Sequence, residues 1–177
     1  APEELDSRTV VIGYDRRFLA PELAEAIAAA VRGCELEPLL TETAVPTPAC
    51  SWAVVERKAL GALVITASHN PPEWLGLKIK GPFGGSVEGD FTAAVEQRLA
   101  VAGITVPMQT TVERFDGRGE HIDGLRRKLN LAALVRGLKA MKLKVIVDPM
   151  HGSAAGCVPE LLGADAADLV EEIRSIR

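Results

Sequence analysis

Short apolar runs alternate with amphipathic helical stripes in the first half of the chain, and this order constrains the fold more than any other feature. Residues 9–12, Thr-Val-Val-Ile, are typical of a buried strand. Leu23, Ile27 and Val31 then recur every four residues, which predicts a helix with one apolar face. Gly33 is expected to end that helix in the left-handed conformation.

Three further apolar runs and two further helices complete a layered domain. The strands are predicted at 36–40, 62–65 and 77–80, and the helices begin at Thr47, as an N-cap, and at Asp90. Only a short stretch separates the last two strands, so they are expected to pair antiparallel. Strands that alternate with helices predict an α/β fold, here a layered α/β/α domain with a mixed four-stranded sheet.

The alternation of predicted strands and helices ends after this domain. Residues 105–119 are polar and contain proline and glycine, so they are expected to connect two domains. Two helical stripes follow, and then one convincing strand at 144–147. Because a lone strand cannot bury both of its faces, the chain is expected to stop inside a second, similar domain. The predicted domains are therefore 1–112 and 113–177, the second incomplete.

Composition argues against several classes of protein. The chain is 47% hydrophobic and 25% charged, as soluble globular proteins are, and its net charge of −4 argues against a nucleic-acid surface. No apolar run approaches the ~20 residues that a membrane span needs. The cysteines are odd in number and form no CxxC pair, which is typical of reduced thiols in a cytoplasmic protein: Cys34, Cys50 and Cys157.

A compact polar motif, Thr-Ala-Ser-His-Asn-Pro-Pro at residues 66–72, directly follows the strand at 62–65. Loops at the carboxyl ends of strands bind ligands in open α/β sheets, and the two prolines stiffen this one. The hydroxyl of Ser68 needs a base, a metal or a prior modification to react. Neighbouring side chains on an extended backbone point apart, so a Ser68–His69 hydrolase pair is not expected, and the Gly-x-Ser-x-Gly elbow is absent.

A lysine can return to this loop from the next strand. Lys78 and Lys80 alternate along the strand at 77–80, so their side chains share a face. If that strand pairs back on the previous one, Lys78 can approach the Ser68 loop. A serine, a lysine and a stiff backbone suit phosphate chemistry better than acyl chemistry.

Four motifs, in the same order, resemble the α-D-phosphohexomutase family, which comprises the phosphoglucomutases and phosphomannomutases. The specific motif is residues 66–71 with Lys78, which resembles the family's phosphoserine loop. The other three motifs extend the resemblance over most of the chain. They are Gly13-Tyr14-Asp15-x-Arg17, Thr47-Pro48 and Val147-Asp148-x-Met150-x-Gly152. By this resemblance the chain is the N-terminal part of such a protein.

The resemblance implies a reversible intramolecular phosphate transfer between C1 and C6 of a hexose phosphate, glucose or mannose, through a hexose 1,6-bisphosphate. It implies that Ser68 carries the phosphate and that Lys78 is the catalytic acid/base. His69 is expected to be a further catalytic residue, and its plainer interpretation is an orienting hydrogen bond within the loop. A Mg²⁺ ion would bind Ser68 through its phosphate. Supporting roles would fall to three residues: Asp15, Arg17 and Asn70.

The family's loops for the metal, the sugar and the distal phosphate have no counterpart in this sequence. The substrate-binding residues are therefore unknown, and the 177 residues alone are expected to be inactive. The preferred hexose and the choice between monomer and dimer stay open. Leu75 stands where the family usually has asparagine, and a looser turn is expected there because leucine lacks the amide's hydrogen-bonding groups.

Two other functions stay open. One is a shortened, non-catalytic homologue that binds a sugar phosphate or a protein partner, and the other is a serine hydrolase. Each candidate residue also has a plainer interpretation. Ser68 could cap a turn in the loop, and Lys78 could be a solvated strand residue. Asp15 and Arg17 could form a structural ion pair beside the site. Two residues near the last strand are expected to be hydrogen-bonded turn residues: Asp148 and His151.

Overall fold

The computed structural model describes residues 7–99 and 111–175. The chain divides into two compact units, Ala1–Gly117 and Arg118–Arg177. This division lies later than the predicted boundary after residue 112, because the strand at 113–115 pairs into the sheet of the first unit. Residues 105–110 of the predicted connection lie outside the described residues.

The first unit is layered around a five-stranded sheet. Its elements are β1 (Thr9–Tyr14), α1 (Ala20–Gly33), β2 (Glu37–Thr41), α2 (Thr47–Glu56), β3 (Gly61–Ile65), β4 (Leu77–Lys80), α3 (Gly89–Leu99) and β5 (Glu113–Phe115). The strand order is β4-β3-β1-β2-β5, and every neighbouring pair is parallel except β3 and β4. The predicted α/β class and its mixed sheet are confirmed. The fifth strand, β5, was missed because three residues in a polar stretch carry too little pattern.

The end of α1 differs from the prediction. Gly33 is the last residue of the helix, and the left-handed residue is Glu35, with φ of 59°. The amide of Cys34 still donates to the carbonyls of Ala30 and Val31 at 3.1 Å, so the chain leaves the helix later than the glycine suggests.

The starts of α2 and α3 also differ. Thr47 lies inside α2 and forms no cap; Pro46 precedes the helix in extended conformation. The next proline lies in the first helical turn, where its missing N–H would have had no partner. Asp90 likewise lies inside the first turn of α3. The apolar side chains spaced along α3 are not buried, since Phe91 is 53% exposed and Leu99 is 75% exposed.

Two apolar clusters cover the two faces of the sheet, because side chains alternate along β1. Val11 packs in one cluster with the residues of α2, among them Cys50 and Val54. Ile12 packs in the other with residues of α1, such as Ala24. The central strand is therefore buried on both faces, as the continuous run of apolar residues at 9–12 predicts.

Gly13 lets α2 approach the central strand. A Cβ atom built at this position would lie 2.3 Å from the sulfur of Cys50 and 3.4 Å from a methyl group of Val45. Cys50 is fully buried, and this burial raises the pKa of its thiol to about 12. The cysteine therefore fills the core as a neutral, apolar side chain.

The second unit contains α4 (Gly117–Lys128), α5 (Leu131–Met141), β6 (Val145–Val147), α6 (Cys157–Leu162), a 3₁₀ turn at Ala164–Ala166, and β7 (Val170–Glu172). β6 and β7 pair in parallel, so the described part of this unit has a second strand that was missed. Asn130 caps α5 by accepting from the amide of Ala133 at 3.0 Å. Among the described residues, no helix is long and apolar enough to span a membrane.

We expect Gly13→Ala to destabilise the first unit by about 1–3 kcal/mol, because the added methyl group overlaps the sulfur of Cys50. Cys50→Ala removes that sulfur, so the double variant should lose less than the sum of the single variants. Urea unfolding of the wild-type chain, both single variants and the double variant measures this coupling. An equal cost of Gly13→Ala with and without the Cys50 sulfur would show that the contact is not the cause.

Candidate functional site

Ser68 lies just beyond the carboxyl end of β3, on an exposed loop. Its backbone is left-handed, with φ of 57°, a conformation that is unfavourable for a residue with a Cβ atom. Its amide donates to the hydroxyl of Thr66 at 3.0 Å, and Thr66 is only 6% exposed. The amide of Asn70 donates to the carbonyl of Ala67 at 3.0 Å. The loop is thus held by one backbone and one side-chain hydrogen bond, while Ser68 stays exposed to solvent.

His69 contacts the side chain of Ser68. The hydroxyl oxygen lies 3.4 Å from Nδ1 of the imidazole. The expectation that these neighbours point apart is wrong, because the left-handed Ser68 turns the chain away from an extended course. The distance is nevertheless longer than the ≈ 2.6–3.2 Å of an activated nucleophile and its base. No acidic side chain orients the imidazole of His69 within residues 7–99 and 111–175.

Arg17 joins the loop after β1 to the Ser68 loop. Its Nη2 donates to the carbonyls of Ser68 at 3.1 Å and of Asn70 at 2.8 Å. Its Nη1 donates to the carbonyls of Pro71 at 2.6 Å and of Trp74 at 3.1 Å. The Arg17 side chain is only 13% exposed, whereas the four carbonyls belong to an exposed loop.

Asp15 anchors this arginine. Its carboxylate accepts from Nε of Arg17 at 3.3 Å and from the Arg17 backbone amide at 3.0 Å. The amide of Asp15 in turn donates to the carbonyl of Ile65, the last residue of β3, at 3.0 Å. The Arg17 side chain is 13% exposed and the Asp15 side chain is 17% exposed. The ion pair therefore connects β1, β3 and the Ser68 loop through short contacts.

Lys78 lies on β4, which turns back along β3. The antiparallel register sets Lys78 beside Val64 and Lys80 beside Ala62. Directly opposite residues share a face of the sheet, so both lysines lie on the face that α2 covers. Lys80 donates to the hydroxyl of Ser86 at 3.4 Å, whereas Lys78 is half-buried and makes no ion pair or side-chain hydrogen bond with the described residues.

The turn between the loop and β4 is closed. The amide of Thr66 donates to the carbonyl of Gly76 at 2.9 Å. Leu75 is partly buried against the cluster on the α1 face. Leucine at this position therefore contributes apolar packing, where the family's asparagine would offer hydrogen-bonding groups.

The turn after β6 in the second unit is built around Asp148. Its carboxylate accepts from the amide of Met150 at 3.0 Å and pairs with Arg174. The hydrogen bond from Arg174 holds the pKa of Asp148 below its ordinary value. Met150 and His151 are both left-handed, and the amide of His151 donates to the carbonyl of Arg174 at 2.6 Å. Both predicted turn residues thus make hydrogen bonds that shape this turn.

The described residues contain no group of three or more His, Cys, Asp or Glu side chains that could hold a metal ion. Mg²⁺ prefers six oxygen ligands in octahedral geometry and often keeps several waters. A phosphorylated Ser68 would offer one such ligand. The described part of the chain therefore does not by itself fit a magnesium site.

Sequence reasoning missed two features of this site. The hydroxyl of Thr66 two residues before Ser68 is a recognisable local signal, because threonine often bonds a nearby backbone amide. The four carbonyl contacts of Arg17 had no signal, since they join residues more than fifty positions apart in the sequence.

The fold and this loop define a layered α/β domain with an exposed, firmly held serine at the end of an inner strand. The family model described as "Phosphoglucomutase/phosphomannomutase, alpha/beta/alpha domain I" matches residues 1–103. The chain belongs to the phosphoglucomutase/phosphomannomutase family.

Individual relatives agree with this assignment. A phosphoglucomutase of Staphylococcus epidermidis is 31% identical over 166 residues, which are 88% of this chain and 29% of that protein. A phosphoglucomutase of Staphylococcus aureus is 27% identical over 90% of this chain and 30% of its own length. A crystal structure from Thermus thermophilus, described as a phosphomannomutase, superimposes with a TM-score of 0.80 at 33% identity. That match covers 95% of this chain and 37% of the other, so the chain spans about a third of these relatives.

We expect Thr66→Val to loosen the Ser68 backbone, because valine keeps the shape of threonine but removes the hydroxyl that accepts the Ser68 amide. The lost hydrogen bond is worth about 1 kcal/mol, so this amide should exchange with solvent about fivefold faster. NMR-detected hydrogen exchange measures the rate, and Thr66→Ser, which keeps the hydroxyl, is the control. Equal exchange in both variants would show that the hydroxyl does not hold Ser68.

Proposed function

We propose that this chain is the N-terminal part of an enzyme that moves a phosphoryl group between the C1 and C6 hydroxyls of a hexose phosphate. The observation that carries the proposal is Ser68, which is exposed at the end of β3 in a loop fixed by its own hydrogen bonds. Membership of the phosphoglucomutase/phosphomannomutase family supports hexose phosphates, glucose or mannose, as the substrates.

In this proposal Ser68 carries the phosphoryl group as phosphoserine. A sugar hydroxyl attacks the phosphorus, the bond from phosphorus to Oγ breaks, and a hexose 1,6-bisphosphate forms. The other phosphate of the bisphosphate then returns to Oγ, which regenerates the phosphoserine and releases the isomeric monophosphate. The exposure of Ser68 supports this role, because both the sugar and its bisphosphate must reach the same oxygen.

Lys78 is proposed as the acid/base of this transfer. The attacking hydroxyl loses its proton as the new bond to phosphorus develops, and Lys78 accepts that proton and later returns it. The antiparallel return of β4 beside β3 supports the role, since it sets Lys78 beside Val64 on the strand that leads into the Ser68 loop. His69, which contacts the Ser68 hydroxyl, is the second candidate for the same proton transfer.

Other parts of the proposal rest on the resemblance alone. Mg²⁺ would bind the phosphate on Ser68 and offset charge on the transferring group, with its remaining ligands supplied by other residues. Asn70 would support the loop. A cytoplasmic location, the absence of nucleic-acid and membrane partners, and inactivity of these 177 residues alone belong to the proposal in the same way.

A serine hydrolase is the alternative that the contact of Ser68 with His69 favours. The contact is long for a nucleophile and its base, and no acidic residue in the described part of the chain orients the imidazole. A hydrolase would label with an acyl-serine reagent and would take up no phosphate, whereas a non-catalytic homologue would do neither.

We expect the complete gene product to gain one phosphoryl group on Ser68 when it is incubated with a hexose 1,6-bisphosphate. Ser68→Ala should abolish this uptake, because it removes the accepting oxygen. Ser86→Ala, which removes another exposed hydroxyl of the same unit, is the matched control. Intact mass and phosphopeptide mapping give the result, and a phosphate found instead on Ser86 or Ser153 of the unaltered protein would contradict the proposal.

In the same complete protein, Lys78→Ala should lower kcat of the mutase reaction by roughly 100- to 10,000-fold and leave KM much less affected, because general acid–base catalysis acts in the transition state. Lys78→Arg should fail nearly as badly, since a guanidinium keeps its proton. Lys80→Arg, on the same face of β4, is the control. If Lys78→Arg kept most of the activity, Lys78 would only offset phosphate charge, and the proton transfer would pass to His69 or elsewhere.

A further inference from the structure

The guanidinium of Arg17 has no N–H group left for a ligand. A guanidinium carries five N–H donors, and this one places Nε on the carboxylate of Asp15 and its four Nη donors on four backbone carbonyls. The four carbonyls all belong to the segment that carries the serine: Ser68, Asn70, Pro71 and Trp74. An arginine next to a phosphate-carrying serine would ordinarily be assigned to the phosphate, but here every donor is occupied by the chain itself.

We propose that Arg17 is a positioning residue that fixes the backbone of the Ser68 loop, and that it does not bind the phosphate. The inference deepens the proposed function and rests on it for the identity of the transferred group. The left-handed backbone of Ser68 is unfavourable and persists only when surrounding contacts hold it. Nη2 of Arg17 donates to the backbone carbonyl of Ser68 itself. The arginine therefore fixes the residue whose hydroxyl oxygen must be oriented for phosphate transfer.

Charge supports the same assignment. Asp15 and Arg17 form a close ion pair that is mostly shielded from water, so the pair carries no net charge toward an incoming phosphate. Lys78, on the neighbouring strand, makes no ion pair or side-chain hydrogen bond with the described residues, so its amine is not committed to the loop. Holding the loop and acting on the reacting groups are thus assigned to two different residues.

Lysine cannot replace this arginine. Its three donors radiate from a single nitrogen, whereas the arginine fork spreads its donors over a plane and reaches carbonyls from residues 68 to 74. A phosphate site, in contrast, accepts lysine as a point charge. Arg17→Lys therefore separates the two roles: it keeps the positive charge and removes the fork.

The first measurement is hydrogen exchange in the complete gene product. The amides of Asn70 and Trp74 donate within the loop, to Ala67 and Pro71, whereas the amide of Thr66 donates across to Gly76. In Arg17→Lys the two loop amides should exchange about tenfold faster or more, with the Thr66 amide unchanged, because contacts from a charged donor are lost only in the loop. Unchanged exchange of the Asn70 and Trp74 amides would overturn the proposal.

Two further variants keep this test decisive. Arg126→Lys is the matched control, because Arg126 also donates to a carboxylate, of Asp123, and to a backbone carbonyl, of Glu160, but lies outside the loop. Should Arg17→Lys fail to fold, Asp15→Asn weakens the same anchor and leaves the arginine in place. Faster exchange of the two loop amides in Asp15→Asn supports the proposal, and unchanged exchange contradicts it.

The second measurement is kinetic and uses the same proteins with a hexose monophosphate as substrate. A displaced serine oxygen should lower kcat of Arg17→Lys by about 100-fold without raising KM. If Arg17 bound the phosphate, lysine would keep most of kcat and the change would fall on KM, which would overturn the proposal. A wild-type protein that neither phosphorylates Ser68 nor turns over substrate would refute the proposed function alone, because the exchange rates still decide whether Arg17 holds the loop.

Discussion

The parallel pairing of β1 with β3 is the constraint on which the rest of the site depends. Tyr14 lies beside Ile65, so the two strands end at the same level of the sheet. Asp15 and Ser68 follow these ends, and the loops that contain them meet because parallel strands direct their carboxyl ends to one edge. The bond from the Asp15 amide to the Ile65 carbonyl extends the ladder by one step and sets Arg17 over the Ser68 loop. A site assembled from distant segments thus follows from one register.

Much of the fold could be predicted from local pattern. The first four strands were marked by short apolar runs and α1 by four-residue apolar spacing, because burial on one or both faces of the sheet demands those patterns. The helices α2 and α3 were marked only by residues near their starts, Thr47 and Asp90. The antiparallel return of β4 followed from the short connection to β3. Strands β5 and β7 were missed, because three residues paired at a sheet edge are defined by their partners and not by their own sequence.

The site was less accessible to sequence reasoning. The motif at residues 66–71 marked the loop, but the contact between Ser68 and His69 depends on a positive φ, which nothing in the local residues specifies, since serine rarely adopts it. The role of Arg17 was visible only as a nearby ion pair, because its carbonyl partners are chosen by three-dimensional proximity. Leu75 departs from the family's usual asparagine and packs against the core, a contact that its position in the motif does not predict.

The burial of Cys50 behind Gly13 also determines how this cysteine reacts with oxidants and labelling reagents. A thiol with a pKa of about 12 carries almost no thiolate at neutral pH, and Cys50 is sealed in the core besides. Cys34, by contrast, is exposed after the last turn of α1. Because α1 runs back along the sheet from the end of β1, Cys34 lies where the strands begin, at the edge opposite to Ser68. A fluorophore attached to Cys34 would therefore report on the first unit without touching the serine loop.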